Sequence, residues 1–151
     1  MLKRTGTYGS WASMDKKQEE GMIETILVAS PEEYLPKLRE AEALASSTNK
    51  SLFLLFTGSK NASGRSWCPD CTAAEPVIEE ALSSIPNGCV LLTSEVEREP
   101  YRSSDYPYRK DSSIRLSCVP TLIKWKNGKV LARLNDSQSQ IADLVAELVE
   151  A

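Results

Sequence analysis

Residues 51–82 read SLFLLFTGSKNASGRSWCPDCTAAEPVIEEAL. The run from Leu52 to Phe56 is apolar without alternation, as a central strand buried on both faces requires. A polar loop, TGSKNASGRS, carries the chain to Trp67, after which Ala74, Val77, Ile78, Ala81 and Leu82 recur at helical spacing. Cys68 and Cys71 therefore fall where a strand, after a loop, hands over to a helix. Pro69 fits the first helical position, where a missing N–H costs nothing, and Pro76 is expected to kink the helix rather than end it. Two cysteines at this spacing could hold half of a metal site, staple a turn or exchange electrons.

A thiol is a useful nucleophile only as its thiolate, and a helix N-terminus favours an anion through its dipole and free N–H groups. Cys68 is placed for that, and the i, i+3 spacing brings Cys71 onto the same turn. In this reading Cys68 attacks a substrate disulfide, and Cys71, expected to be the less exposed thiol, attacks the mixed disulfide and releases reduced product. Asp70 suits the start of the helix, and its charge partly offsets the dipole at Cys68. That points to a reductant, with a potential between roughly −280 and −220 mV. A zinc site would need four thiolates, but Cys89 and Cys118 are far along the chain, with no second C-x-x-C and no histidine. An incidental pair is the other alternative. A C-x-x-C beside a β-α-β pattern favours the redox reading.

Outward from this stretch, IETILV (residues 23–28) reads as a short strand, and Ser30-Pro31-Glu32-Glu33 as a helix start with capping-box spacing. Tyr34, Leu35, Leu38, Ala41 and Ala45 share one face of that helix, with Pro36 expected to kink or delay it. CVLLTSEV (89–96) is a further strand, and the polar stretch from Glu97 to Ser113 is either functional or conceals a short helix. PTLIKW and KVLARL flank Asn127-Gly128, a strong hairpin signal. Ser137 to Gln140 repeats the capping-box spacing before a stripe of Ile141, Leu144, Val145, Leu148 and Val149. The order predicts an α/β fold with a central mixed β-sheet flanked by α-helices on both faces.

The 151 residues suit one domain, and 41% hydrophobic with 26% charged residues supply an ordinary core without staples. Residues 1–20 read as a flexible tail or leader and residues 21–151 as the domain. The opening lacks the apolar centre of a secretory signal, and its two basic residues make a weak transit peptide, so a cytoplasmic location is expected. The net charge of −3 and the short Lys/Arg runs leave no footprint for nucleic acid. No apolar run approaches the roughly 18 residues of a membrane span. The absence of histidine removes Ser/His/Asp triads, Cys/His nucleophiles and His-ligated zinc.

Trp67-Cys68-Pro69-Asp70-Cys71 on a strand-loop-helix, a proline five residues after Cys71, Val119-Pro120-Thr121 and the Asn127-Gly128 hairpin together resemble the thioredoxin fold. More narrowly, FTGSKNASGRSWCPDCTAAEPVIEEAL, GCVLL and CVPTLIKW resemble the cytosolic thioredoxin domain-containing protein 17 type, the thioredoxin-related proteins of WCPDC type, over about residues 22–150. The resemblance implies Cys68 as nucleophile, Cys71 as resolving thiol, a cis Val119–Pro120 peptide, and substrate contacts from Trp67, Pro69, Val119 and Pro120. The backbone of Val119 would pair with an extended substrate. It also implies a monomer with no bound cofactor, reduced by thioredoxin reductase at the expense of NADPH. Its substrates would be small disulfides such as cystine, nitrosothiols and selected protein disulfides.

General thioredoxins carry a buried acid in the strand before the motif, and SLFLLF has none. Asp70, Glu75 or water must then take the Cys71 proton, and Asp70 is the nearer in sequence. Cys89 reads as buried filler. Cys118, two residues before Pro120, reads first as inert and second as a regulatory thiol. Tyr101, Tyr106 and Tyr108 read first as packing for the 97–113 insert and second as the rim of the site. The alternative function is a redox-modulated adaptor, which the family's association with a dynein light chain suggests.

Overall fold

The computed structural model describes residues 22–151. The tail expected over residues 1–20 lies outside the described residues. In chain order the strands are β1 (Ile23–Val28), β2 (Ser51–Gly58), β3 (Cys89–Val96), β4 (Thr121–Lys126) and β5 (Lys129–Leu134). The α-helices are α1 (Tyr34–Thr48), α2 (Pro69–Ser83), α3 (Arg98–Tyr101), α4 (Pro107–Lys110) and α5 (Ala142–Glu150). The sheet order is β1-β3-β2-β4-β5, with β1 and β2 parallel to β3, and with β4 antiparallel to both β2 and β5.

The uninterrupted apolar run makes β2 the centre of this sheet, and its period of two divides it between two cores. Leu52, Leu54 and Phe56, with Val90 and Leu92 of β3, pack against Tyr34, Leu38, Ala41 and Ala45 of α1. Phe53 and Leu55, with Cys89 and Leu91, pack against Ala74, Ile78 and Leu82 of α2 and Val145 and Leu148 of α5. Phe53, Leu54 and Phe56 are at most 1% exposed, so each stabilises the fold by about 1.5–3 kcal/mol of apolar burial. The mixed sheet with helices on both faces matches the expected α/β architecture.

Local signals are met with several shifts. Pro36 is the third residue of α1, within the first turn, where its N–H would have no intrahelical partner. A 3₁₀ turn, Pro31–Glu33, precedes it, and there the Ser30 carbonyl rather than its side chain accepts the Glu33 N–H at 3.0 Å. The expected Ser30 capping box is thus absent because the chain enters α1 through that tighter turn. The second box forms two residues earlier than its spacing suggested. Asn135 Oδ1 accepts the Gln138 N–H at 3.0 Å while Gln138 Oε1 accepts the Asn135 N–H at 2.9 Å, and Ser137 turns its hydroxyl to Asn135. This box starts a 3₁₀ turn, Gln138–Gln140, so α5 begins only at Ala142, and Ile141 is left 48% exposed instead of joining the buried stripe.

Helix α2 runs through Pro76 without a break. Asn127 and Gly128 take φ of 55° and 74°, the pair of left-handed residues a two-residue hairpin turn demands. The 97–113 insert contains α3 and α4. Phe56 pairs with Thr121, so the segment leading into β4 lies beside the end of β2. The loop after β2, the start of α2 and Val119-Pro120 therefore meet at the carboxyl ends of the parallel strands, where open α/β sheets hold their sites.

Candidate active site

The loop after β2 folds back as a short antiparallel bridge between Lys60 and Ser66. Asn61 Oδ1 accepts the N–H groups of Ser63 and Arg65 at 2.9 and 3.0 Å, and Gly64 takes a φ of 82° to close the turn. Ser66 then ties the two arms together: its hydroxyl donates to the Gly58 carbonyl at 2.9 Å, and its Oγ accepts the Cys68 N–H at 3.1 Å. Trp67 Nε1 donates to the Val96 carbonyl at 2.8 Å. Cys68 is delivered in extended conformation as the N-cap of α2, with Pro69 in the first turn.

At this position Cys68 Sγ accepts the backbone N–H of Cys71 at 3.1 Å, a hydrogen bond from a free helix N-terminal donor. Cys68 Sγ also lies 3.5 Å from the Val119 carbonyl, to which its S–H donates. Cys71 Sγ accepts the Gly58 N–H at 3.2 Å. Burial pushes the Cys71 thiol up to about 12, with the Cys68 side chain adding to the shift and the Thr57 side chain and Gly58 N–H opposing it. Cys71 is the less exposed thiol as expected, but by a narrow margin, 4% against 5% for Cys68. Cys68 is nearly as enclosed because the segment at Val119, 51 residues along the chain, roofs it.

The Val119–Pro120 peptide is cis, and both residues are buried. Trp67 is half-buried and Pro69 and Asp70 are exposed. The tyrosines of the insert divide their tasks. Tyr106 and Tyr108 are core residues, with Tyr108 edge-on to Tyr34 and Phe56 at 5.3 and 5.0 Å between ring centroids. Tyr101 stands at the rim, its ring 5.8 Å from Trp67 and capped by the Arg109 guanidinium at 4.3 Å. Arg109 is itself held by the carbonyls of Tyr101 at 2.7 Å and Leu116 at 3.4 Å. Cys118 is half-buried, with Sγ 3.6 Å from Thr121 Oγ1. Cys89 is fully buried in the opposite core, and burial lifts its thiol to about 11. The four thiols do not converge, and among the described residues no cluster of three potential ligands could hold a metal ion.

Gly58, Ser66 and Thr57 escaped the sequence reading, although each touches the cysteine pair. A Cβ on Gly58 would lie 2.8 Å from Cys68 Cβ and 2.8 Å from Ser66 Oγ, so only glycine lets the motif close onto the strand end. The available signal was a glycine breaking an otherwise apolar strand at its last residue, a mark of close backbone approach.

Residues 28–151 match the family described as thioredoxin domain-containing protein 17-like, thioredoxin domain. Thioredoxin domain-containing protein 17 of Homo sapiens is 36% identical over 104 residues, covering 68% of this chain and 83% of the human protein. Thioredoxin-like protein Clot of Oryza sativa subsp. japonica is 42% identical over 108 residues, covering 68% of this chain and 78% of the rice protein. Among solved structures, thioredoxin f from spinach chloroplast superposes with a TM-score of 0.53 at 14% identity, covering 91% of this chain and 92% of that one. Thioredoxin f2, in a complex with ferredoxin:thioredoxin reductase, gives 0.51 at 17% identity, covering 85% and 94%. The fold is the thioredoxin fold. The chain therefore belongs to the thioredoxin domain-containing protein 17-like family, and with its paired cysteines it is in general kind a thiol oxidoreductase.

Proposed function

We propose that this protein is a disulfide reductase of the cytoplasm. Cys68 and Cys71 carry electrons that NADPH supplies through thioredoxin reductase, and they deliver them to small disulfides such as cystine, to nitrosothiols and to selected protein disulfides. The observation that carries this reading is the position of Cys68 Sγ, 3.1 Å from the Cys71 N–H at the start of α2 and 3.5 Å from the Val119 carbonyl. A helix N-terminal donor stabilises sulfur as an anion, the nucleophilic form.

The Cys68 thiolate attacks one sulfur of a substrate disulfide, and the first thiolate leaves. Cys71 then attacks Cys68 Sγ in the mixed disulfide, forms the Cys68–Cys71 bond and expels the second thiol. Trp67, Pro69, Val119 and Pro120 serve as the substrate surface beside Cys68, with the Val119 backbone offered to extended peptides. Asp70, exposed in the first turn, tempers the helix dipole at Cys68. The half-buried ring of Tyr101 beside Trp67 narrows the approach and favours small disulfides.

The test is NADPH consumption with thioredoxin reductase, using cystine and insulin separately, for the native protein and for Cys68→Ser. Cystine turnover that exceeds insulin turnover and vanishes in the variant is the expected result. No turnover of either substrate by native protein would overturn the reading as stated.

A further inference from the structure

The resolving step needs a proton acceptor that β2 does not supply. Burial, with the Cys68 side chain beside it, lifts the Cys71 thiol and so favours its neutral form at pH 7. Cys71 is also nearly closed to bulk solvent. It does border a cavity of about 320 Å³, whose other walls include Thr57, Lys60, Ser66, Thr72 and Glu75. A water's share of liquid volume is about 30 Å³, so there is room for several. Asp70 does not line this cavity. Glu75 does, one helical turn beyond Cys71, and Lys60 Nζ holds its Oε2 at 2.7 Å. The side chains of Lys60 and Glu75 are 41% and 54% exposed, which puts the pair at the mouth, between the cavity and solvent.

We propose that Glu75, positioned by Lys60, accepts through cavity water the proton that Cys71 loses as it resolves the mixed disulfide. This rests on the disulfide-reductase reading above. As Cys71 sulfur bonds to Cys68 sulfur, its proton passes through water to the Glu75 carboxylate, the bond from Cys68 to the substrate sulfur breaks, and that bond's electron pair leaves on the substrate as a thiolate that takes a proton from solvent. Glu75 returns its own proton to solvent. Across both steps, two electrons pass from the cysteine pair to the substrate disulfide. The charged and titratable groups bordering this space with Cys71 are Lys60 and Arg65 from the loop and Glu75 from α2, with Cys68 against the thiol on its own turn and β2 offering only the Thr57 hydroxyl. Lys60 fixes the Glu75 carboxylate at the cavity mouth, while Thr57 faces the thiol from the strand.

Stopped-flow reaction of the reduced protein with 5,5′-dithiobis(2-nitrobenzoate) separates the steps, because attack by Cys68 releases one coloured thiolate and resolution by Cys71 releases another. The variants are Glu75→Gln, Lys60→Gln and Glu79→Gln, the last removing an exposed carboxylate one turn further along α2. In Glu75→Gln the first phase is expected to stay within about twofold of native and the second to slow by about tenfold or more at pH 7. Its second phase should then rise about tenfold per pH unit as hydroxide replaces the carboxylate, whereas the native rate stays flatter through neutrality. Lys60→Gln should show the same change of slope with smaller slowing, and Glu79→Gln neither. A second phase in Glu75→Gln with native rate and slope, or equal slowing in Glu79→Gln, overturns the relay. Loss of the first phase in the native protein would instead overturn the reductase reading itself.

Discussion

A Cβ placed on Gly58 would stand 2.8 Å from the Cβ of Cys68, closer than two such carbons approach in folded chains. The contact exists because the Ser66 hydroxyl draws the returning arm of the loop onto the Gly58 carbonyl, while the Gly58 N–H reaches Cys71 Sγ. Gly58→Ala should push the cysteine motif outward, cost about 1–3 kcal/mol of stability and lower turnover by at least about tenfold. Urea denaturation and the NADPH assay measure the two effects. Native stability together with native turnover would show that the loop yields freely.

Replacing either cysteine by serine should separate the two thiols. Cys71→Ser keeps the sulfur at the helix start and removes the group that resolves it, so cystine should leave a stable half-cystine adduct on Cys68, seen as added mass that dithiothreitol removes. Cys68→Ser should form no adduct at Cys71, whose buried thiol stays protonated at neutral pH. An adduct confined to Cys71 would reverse the assignment.

Tyr101 leans on Trp67 from one side and is braced by Arg109 on the other. Tyr101→Ala should widen the approach to Cys68 and raise insulin turnover relative to cystine turnover by about threefold or more, about 0.7 kcal/mol of differential access. The comparison of kcat/KM for the two substrates decides it. An unchanged ratio would leave Tyr101 as packing for the insert.

Buried thiols should make the fold sensitive to alkali. Burial lifts Cys71 to about 12 and Cys89 to about 11 from the ordinary 9.0, so the folded chain keeps protons that the unfolded chain has released. The stabilisation is whole below pH 9 and is lost as pH rises toward the folded values, at on the order of 1 kcal/mol per pH unit for each thiol. Urea midpoints should hold steady from pH 7 to 9 and fall by pH 10.5. A flat profile to pH 10.5 would contradict the burial argument.

The Tyr34 hydroxyl is buried with no hydrogen-bond partner among the described residues. Burying such a group costs about 1–3 kcal/mol, so Tyr34→Phe should leave stability unchanged or raise it by about 1 kcal/mol while keeping the ring against Phe56 and Tyr108. A loss in urea stability would mean that an internal water satisfies the hydroxyl.

The sequence by itself determined the elements whose signals are local. The run from Leu52 to Phe56 can only be buried on both faces, Pro69 and the spacing from Ala74 to Leu82 start and sustain α2, and Asn127-Gly128 turns the chain back as a hairpin. Cys68 and Cys71 were legible because helix-start chemistry and a three-residue spacing lie within a single turn. The tertiary structure alone decided what depends on segments far apart in the chain. The Val119 segment, 51 residues from Cys68, roofs that thiol until it is nearly as hidden as Cys71. The loop carrying Lys60 meets Glu75 at the mouth of a cavity that no spacing reveals. Propensity and periodicity act over a few residues, whereas a cavity, a roof over a sulfur and a glycine too crowded for a Cβ arise only when distant parts of the chain pack against one another.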